Sequence, residues 1–287
     1  MGRTVYLNGA FMDEDEAKVS IFDRGYLFGD GIYEVVPVID RLVLDRAPFV
    51  ERFDRSLREL GMAWPCTEEE LHAMIDGIIE RNNLDEGIVY MQVTRGVADR
   101  DFHYPKDTPT TLMAFTQVKN LLDNPGAENG VKVVTVEDIR WKRRDVKSIA
   151  LLAQCIAKQA AVEKGASEGW MVEDGLVTEG TSSSAYIVKD GVVITRPLSN
   201  AILPGIRRKV LLELAEKYQV KVELRPFTVD EAKAADEAFL SSASTFVMPI
   251  IEINGQKLGD GKPGPVSRRF REIYIETARE IAVREAS

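Results

Sequence analysis

Cysteine and histidine are scarce. The 287-residue chain holds two of each: Cys66, Cys155, His72 and His103. Two cysteines far apart in sequence, with no C-x-x-C spacing, exclude a disulfide framework and point to a reducing cytoplasm. These scattered thiols and imidazoles also lack the spacing of a zinc cage, so no resident metal is expected. There is no G-x-S-x-G elbow and no Walker A pattern. Gly29-Asp30-Gly31 begins a G-x-G, but Glu34 stands where the third glycine belongs, and strand-like residues follow. No apolar run approaches the ~18 residues of a membrane span. The opening MGRTVYLNGAF lacks the basic-then-apolar order of a secretory signal, and Tyr6 stands where myristoylation wants Ser or Thr. Positive charge is in deficit. Lys and Arg number 37 against 46 Asp and Glu, for a net −9, and the basic residues are dispersed. That balance excludes a nucleic-acid groove and a polybasic membrane stripe.

What is present suits a globular protein: 45% of residues are apolar and 29% charged. At about 150 residues per domain the length predicts two domains. Strand signals fall at Gly31–Val38, Ile88–Thr94 and Thr111–Val118. Between them Pro48–Leu60 and Thr67–Arg81 carry helical periodicity, the second opening with a Thr67/Glu70 capping box. The Asn-, Pro- and Gly-rich stretch 120–130 is the expected linker between an N-terminal α/β domain, 1–119, and a C-terminal domain, 131–287. In the second block Val131–Val136, Gly169–Val172, Ser184–Val188, Val192–Thr195, Ile250–Ile253 and Gln256–Leu258 read as strands. Asp190-Gly191 and Asn254-Gly255 signal hairpins. Ser148 is expected to cap a helix running to Gly165; further helices are expected at Ile206–Tyr218, Thr228–Ala235 and Val266–Ala282. The class is mixed, α+β or α/β, without regular β-α-β alternation. With so few side chains suited to nucleophilic or metal chemistry, an enzyme of this composition needs a cofactor for its hard step.

Four stretches carry a resemblance: FDRGYLFGDGIYEVV (22–36), VTRGVADRDFHYP (93–105), EDIRWKRRDVKSIALL (137–152) and VTEGTSSSAYIV (177–188). In this order along the chain they resemble the fold-type IV pyridoxal-phosphate enzymes, most closely the D-amino acid aminotransferase branch. The resemblance implies a two-domain fold with its active site at the domain interface, pyridoxal 5'-phosphate as cofactor, and a homodimer. Lys147 matches the family's Schiff-base lysine, which also shuttles a proton between Cα and the cofactor's C4′. By itself it reads as the end of a solvated basic run. Lys142, Arg143 and Arg144, if near it in space, are expected to favour its neutral, reactive amine. Glu179 matches the carboxylate that keeps the pyridine nitrogen protonated. Arg52 matches the phosphate-binding arginine, whose guanidinium fits a phosphate bidentately. Ile206 and Arg207, opening a helix after Gly205, match the phosphate cup together with Ser242 and Ala243. Tyr33 and Arg100 match a trap for the substrate carboxylate, Arg100 arriving on a loop from the partner subunit.

Some positions depart from the family pattern. Arg207 and Ala243 stand where threonine is usual, so only their amides are expected to serve the phosphate. Phe102 replaces a histidine two residues after Arg100, and His103 is one residue out of phase, which in an extended segment points it to the other face. Pro37 and Phe49 replace a lysine and a histidine. The implied activity is a cytoplasmic, ping-pong transamination through Lys147 from a D-amino acid such as D-alanine to 2-oxoglutarate or pyruvate. The less polar trap keeps an (R)-selective amine:pyruvate transaminase as the alternative. Branched-chain aminotransferase and aminodeoxychorismate lyase activities fit the Tyr33–Arg100 pattern less well.

Overall fold

In the computed structural model, which describes residues 2–286, the chain forms two compact units. The first contains the chain up to Asn120, together with Val146–Ala150 and the segment from Arg279. It opens with a hairpin, β1 (Thr4–Leu7) and β2 (Ala10–Asp13), turning on Asn8 and Gly9 at φ 47° and 95°. Asn-Gly tolerates that left-handed backbone at little cost. Next come α1 (Arg24–Phe28), capped by the Asp23 side chain, then β3 (Gly31–Ile39) and β4 (Leu42–Val43). The helices α2 (Arg46–Glu59) and α3 (Glu68–Arg81) and the strands β5 (Glu86–Thr94) and β6 (Thr111–Val118) complete it. The six strands lie in the order β2-β1-β6-β5-β3-β4.

Helix α2 buries Phe49, Arg52, Phe53, Ser56 and Leu57, the one-face spacing of an α-helix. Burying each of the three apolar side chains is worth about 1.5–3 kcal/mol. The same periodicity carries Arg52 inward. Helix α3 has both hydrogen bonds of the Thr67/Glu70 capping box and buries Leu71, Met74, Ile75, Ile78 and Ile79.

The second unit comprises Leu121–Asp145 and Leu151–Ala278. Its elements are α4 (Pro125–Asn129), β7 (Val131–Glu137), α5 (Leu152–Glu163), β8 (Glu168–Glu173), β9 (Leu176–Gly180), β10 (Ser184–Lys189) and β11 (Val192–Thr195). There follow α6 (Ile206–Lys217), β12 (Val222–Leu224), α7 (Val229–Lys233), β13 (Glu237–Ser242), β14 (Phe246–Ile253), β15 (Gln256–Lys257) and α8 (Pro265–Ala286), whose residues from Arg279 on belong to the first unit. The strands run β12-β11-β10-β13-β14-β7-β8-β9, with β15 on β14. Parallel pairs (β11–β12, β14–β7, β7–β8) are mixed with antiparallel ones. The core gathers Trp170, Val177, Ile187, Phe227, Leu240 and Ile250. Both expected hairpins are there, with Asp190-Gly191 and Asn254-Gly255 at positive φ.

The main departure lies at Ser148. Residues 146–150 are not helical and run along β3. The Tyr33 N–H donates to Lys147 O at 2.9 Å, the Ile149 N–H donates to Gly31 O at 3.1 Å, and Ile32 bridges Ser148. Helix α5 therefore starts at Leu152, without a side-chain cap, and the Ser148 hydroxyl accepts from the Ala150 N–H instead. This pairing along β3 places Lys147 in the first unit, not in an unbroken 131–287 block. Inside the expected 120–130 linker, Asn124 caps the short helix α4.

Candidate active site

Within the first unit, Lys147 and Tyr33 come together. The Lys147 Nζ stands 4.1 Å from the centre of the Tyr33 ring. The ring face stabilises a cation. Tyr33 stacks on Tyr90 (5.6 Å, 20° between planes), and Tyr90 stacks on Phe115 (4.8 Å, 20°). The rings are successive neighbours across β3, β5 and β6, so the sheet register fixes the surface under the amine. Burial pushes the Tyr90 phenol well above its ordinary value, and Tyr33 adds to the effect.

The cations expected to act on Lys147 all have carboxylate partners. Arg143 pairs with Asp145, Lys142 with Glu173, and Arg144 with Glu173 and Asp138.

Arg52 lies on the buried face of α2 and makes a bidentate pair with Glu34 of β3, Nε at 2.8 Å and Nη2 at 2.6 Å. Glu34 is fully buried. In the sequence it stands out only as the place of a missing glycine. Arg100 is exposed, with its guanidinium 5.6 Å from the Phe28 ring and 5.5 Å from the Phe102 ring. Phe102 is 79% exposed. His103 points to solvent, its Nδ1 2.9 Å from Asp101.

Within the second unit, Glu179 sits at the buried end of β9. Arg140 Nη1 donates to Oε1 at 2.6 Å, and the Leu203 N–H donates to both oxygens at 3.1 Å. Burial pushes the Glu179 carboxyl above its ordinary range, against the pull of Arg140 and the Leu203 amide. Arg140 is itself held by Asp138, Nε at 2.9 Å and Nη2 at 2.7 Å, and Asp138 accepts from the Thr178 hydroxyl at 2.6 Å. Burial would raise the Asp138 carboxyl, but Arg140, Thr178 and Arg144 together hold it below its usual range. Charges thus alternate from Glu173 through Arg144, Asp138 and Arg140 to Glu179. Glu168 accepts from the hydroxyls of Thr181, Ser182 and Ser183, and so fixes the turn that follows Glu179.

Ile206 and Arg207 open α6 behind Gly205, and no side chain caps the first turn. A Cβ on Gly205 would lie 2.9 Å from Ser184 Oγ, so glycine keeps this mouth clear. The Arg207 side chain is buried, with Nε donating to Tyr274 Oη at 3.1 Å. Arg208 is 3% exposed. Its Nη2 donates to Arg196 O at 2.8 Å, its Nε is buried without an acceptor, and no carboxylate pairs with it among the described residues. A buried guanidinium with no carboxylate in direct contact, beside open helix amides, matches the needs of a phosphate. Arg208 also acts on Tyr186, whose phenol burial pushes up to about 12 and which shares a 2.9 Å hydrogen bond with Ser241. Ser242 closes β13 and Ala243 opens the turn after it, with the Ser242 hydroxyl 2.7 Å from Thr245 Oγ1.

Sequence reasoning missed Arg140, Asp138, Glu34, Glu168 and Arg208. Arg140 and Asp138 lie in the 137–152 run that carries the resemblance, but only the folded sheet shows that they face Glu179.

The model of the amino-transferase class IV family matches residues 31–253. A D-alanine aminotransferase of Staphylococcus aureus (strain N315) is 43% identical over 95% of this chain and 98% of its own length. A D-alanine aminotransferase of Bacillus licheniformis is 37% identical over 96% and 99%. A branched-chain amino acid aminotransferase of T.th., solved with pyridoxamine 5'-phosphate, superposes with a TM-score of 0.90 at 25% identity, over 97% of this chain and 94% of that one. The chain belongs to the class IV aminotransferases.

Proposed function

We propose that this protein is a pyridoxal-phosphate transaminase that moves the amino group of a D-amino acid such as D-alanine to 2-oxoglutarate or pyruvate. The observation that carries the reading is the near full-length identity to D-alanine aminotransferases. When bound, the cofactor supplies an aldehyde carbon that takes the amino group and a protonated pyridine ring that accepts the electron pair left at Cα. Lys147 Nζ would hold the cofactor, and its amine would take up and return a proton at Cα. The Tyr33 ring keeps that amine in place. Glu179, held by Arg140, keeps the proton on the pyridine nitrogen. In the first unit Arg52, oriented by Glu34, would serve the phosphate; in the second unit the Ile206 and Arg207 amides, Ser242 and the Ala243 amide would. The Tyr33 hydroxyl and Arg100 receive the substrate carboxylate.

A homodimer is part of the proposal. Ile21, Phe22, Tyr26, Val97 and Phe102 of the first unit are exposed apolar side chains that a second copy would cover. The cytoplasm suits two cysteines that are both unbridged. Among the described residues no helix is long and apolar enough to cross a membrane.

The exposed ring of Phe102 beside Arg100 favours a second reading, an (R)-selective amine transaminase. Incubation with D-alanine and 2-oxoglutarate, followed by chiral chromatography, decides between them. Equal amounts of pyruvate and D-glutamate are expected. Faster turnover of (R)-1-phenylethylamine supports the second reading. Turnover of L-leucine but not D-alanine refutes both.

A further inference from the structure

The segment that carries Arg100 is fastened to the sheet by a charged cluster on one carboxylate. Asp30 Oδ2 accepts from Arg24 Nε and from Arg95 Nε, both at 2.8 Å. All three residues are buried or nearly so. Two guanidiniums on one carboxylate leave a positive charge in excess, and main-chain oxygens and ring faces satisfy the rest. Arg95 donates to Leu60 O at 2.7 Å and to Gly61 O at 3.2 Å, which fixes it to the end of α2. Arg24 donates to Asp101 O at 2.6 Å and to His103 O at 3.4 Å. The Arg95 guanidinium lies 3.5 Å from the centre of the Tyr104 ring, although that side chain is 56% exposed. Phe28, 4.7 Å from the Arg24 guanidinium, packs on Phe102 at 5.8 Å. Residues 101–104 are thus each tied to the body of the unit. Arg100 is left exposed, held only by ring faces and, among the described residues, in no ion pair.

We propose that this cluster is a clamp that pre-sets Arg100, and that Tyr104 is a positioning residue for the substrate carboxylate. This rests on the proposed role of Arg100. Without the clamp, a loop of this kind must be ordered each time a carboxylate binds, which weakens binding without touching the chemical step. Tyr104 is the clamp's exposed member, so its ring can be removed without opening the core. The phenol oxygen is not needed, because the ring face does the holding.

The test compares wild type, Tyr104→Leu and Tyr104→Phe. With D-alanine, Y104L is expected to raise KM about tenfold with kcat within about twofold, and Y104F to behave as wild type. Cofactor absorbance and Tm should match across the three. Unchanged KM in Y104L overturns the proposal, as does a loss of kcat, Tm and cofactor together, which marks a merely structural role. If wild type does not turn over D-alanine, the functional reading fails and the clamp is read by trypsin cleavage after Arg100. Cleavage several-fold faster in Y104L than in wild type and Y104F supports the clamp, and equal rates overturn it.

Discussion

Replacing Arg140 with methionine probes how Glu179 is held. The Arg140 side chain is 6% exposed and is shared between Asp138 and Glu179. Its removal strands the buried Glu179 with only the Leu203 amide and takes one of two arginines from Asp138, and breaking a buried pair from one side costs about 3–5 kcal/mol. At about 2–4 °C per kcal/mol for a chain of this size, Tm should fall by roughly 6–20 °C. The loss also has a pH signature. Burial already holds the Glu179 carboxyl above its ordinary range and without Arg140 it rises further, while Asp138 loses part of what holds it down. A folded-state value above the unfolded one favours folding at low pH and penalises it as pH rises. Arg140→Met should therefore be more destabilised at pH 8 than at pH 5. Urea denaturation at the two pH values measures this. Combining Arg140→Met with Glu179→Gln removes one stranded charge, so the double variant should lose less than the sum of the singles, by at least about 1.5 kcal/mol. A single variant within about 0.5 kcal/mol of wild type, or a cycle that closes at zero, refutes the claim that Arg140 holds Glu179.

The outer end of the same chain of charges gives an acid-range prediction. Hydrogen bonds from Arg144, then from Lys142, hold the Glu173 carboxyl down at about 2, against an ordinary 4.5. Its contribution is fully present above about 4.5 and fades as pH falls toward about 2, so the gap in Tm between wild type and Glu173→Gln should narrow steadily below about pH 4.5 and close only near pH 2. At the other end of the site, Gly205→Ala puts a Cβ 2.9 Å from Ser184 Oγ at the opening of α6. Gly205 sits at φ −64°, which alanine accepts, so the variant should fold normally but bind pyridoxal phosphate several-fold more weakly by fluorescence titration. Unchanged affinity would remove the mouth of α6 from the phosphate site.

Local signals in the sequence are realised in the fold. The Phe49–Phe53–Leu57 stripe sets α2 and turns Arg52 inward. The capping boxes at Thr67 and Thr228 both form, because their hydrogen bonds close within one turn. Asn8-Gly9 makes the same kind of turn as the two expected hairpins, yet the short strands beside it carry too little alternation to be read from sequence. Long-range pairing is not legible there either. Ser148 has the chemistry of a helix cap, but hydrogen bonds to β3, more than a hundred residues earlier, hold its segment against that strand. The same pairing takes Lys147 out of the block that its sequence position suggests. Glu34 and Arg140 look like ordinary charges until the sheets place them against Arg52 and Glu179. The identities of the residues proposed to meet the cofactor can be read from the resemblance. The residues that hold them in place cannot, since a buried counter-charge leaves no fixed spacing along the chain.

The central claim is that Lys147 carries the cofactor and that its amine runs the transfer. Saturating the protein with pyridoxal phosphate, reducing it with borohydride and mapping the digest by mass spectrometry tests this most directly. The account predicts a phosphopyridoxyl group on the peptide containing Lys147, and in Lys147→Ala neither that label nor D-alanine turnover. Stable labelling of a different lysine, or normal turnover in Lys147→Ala, would contradict it.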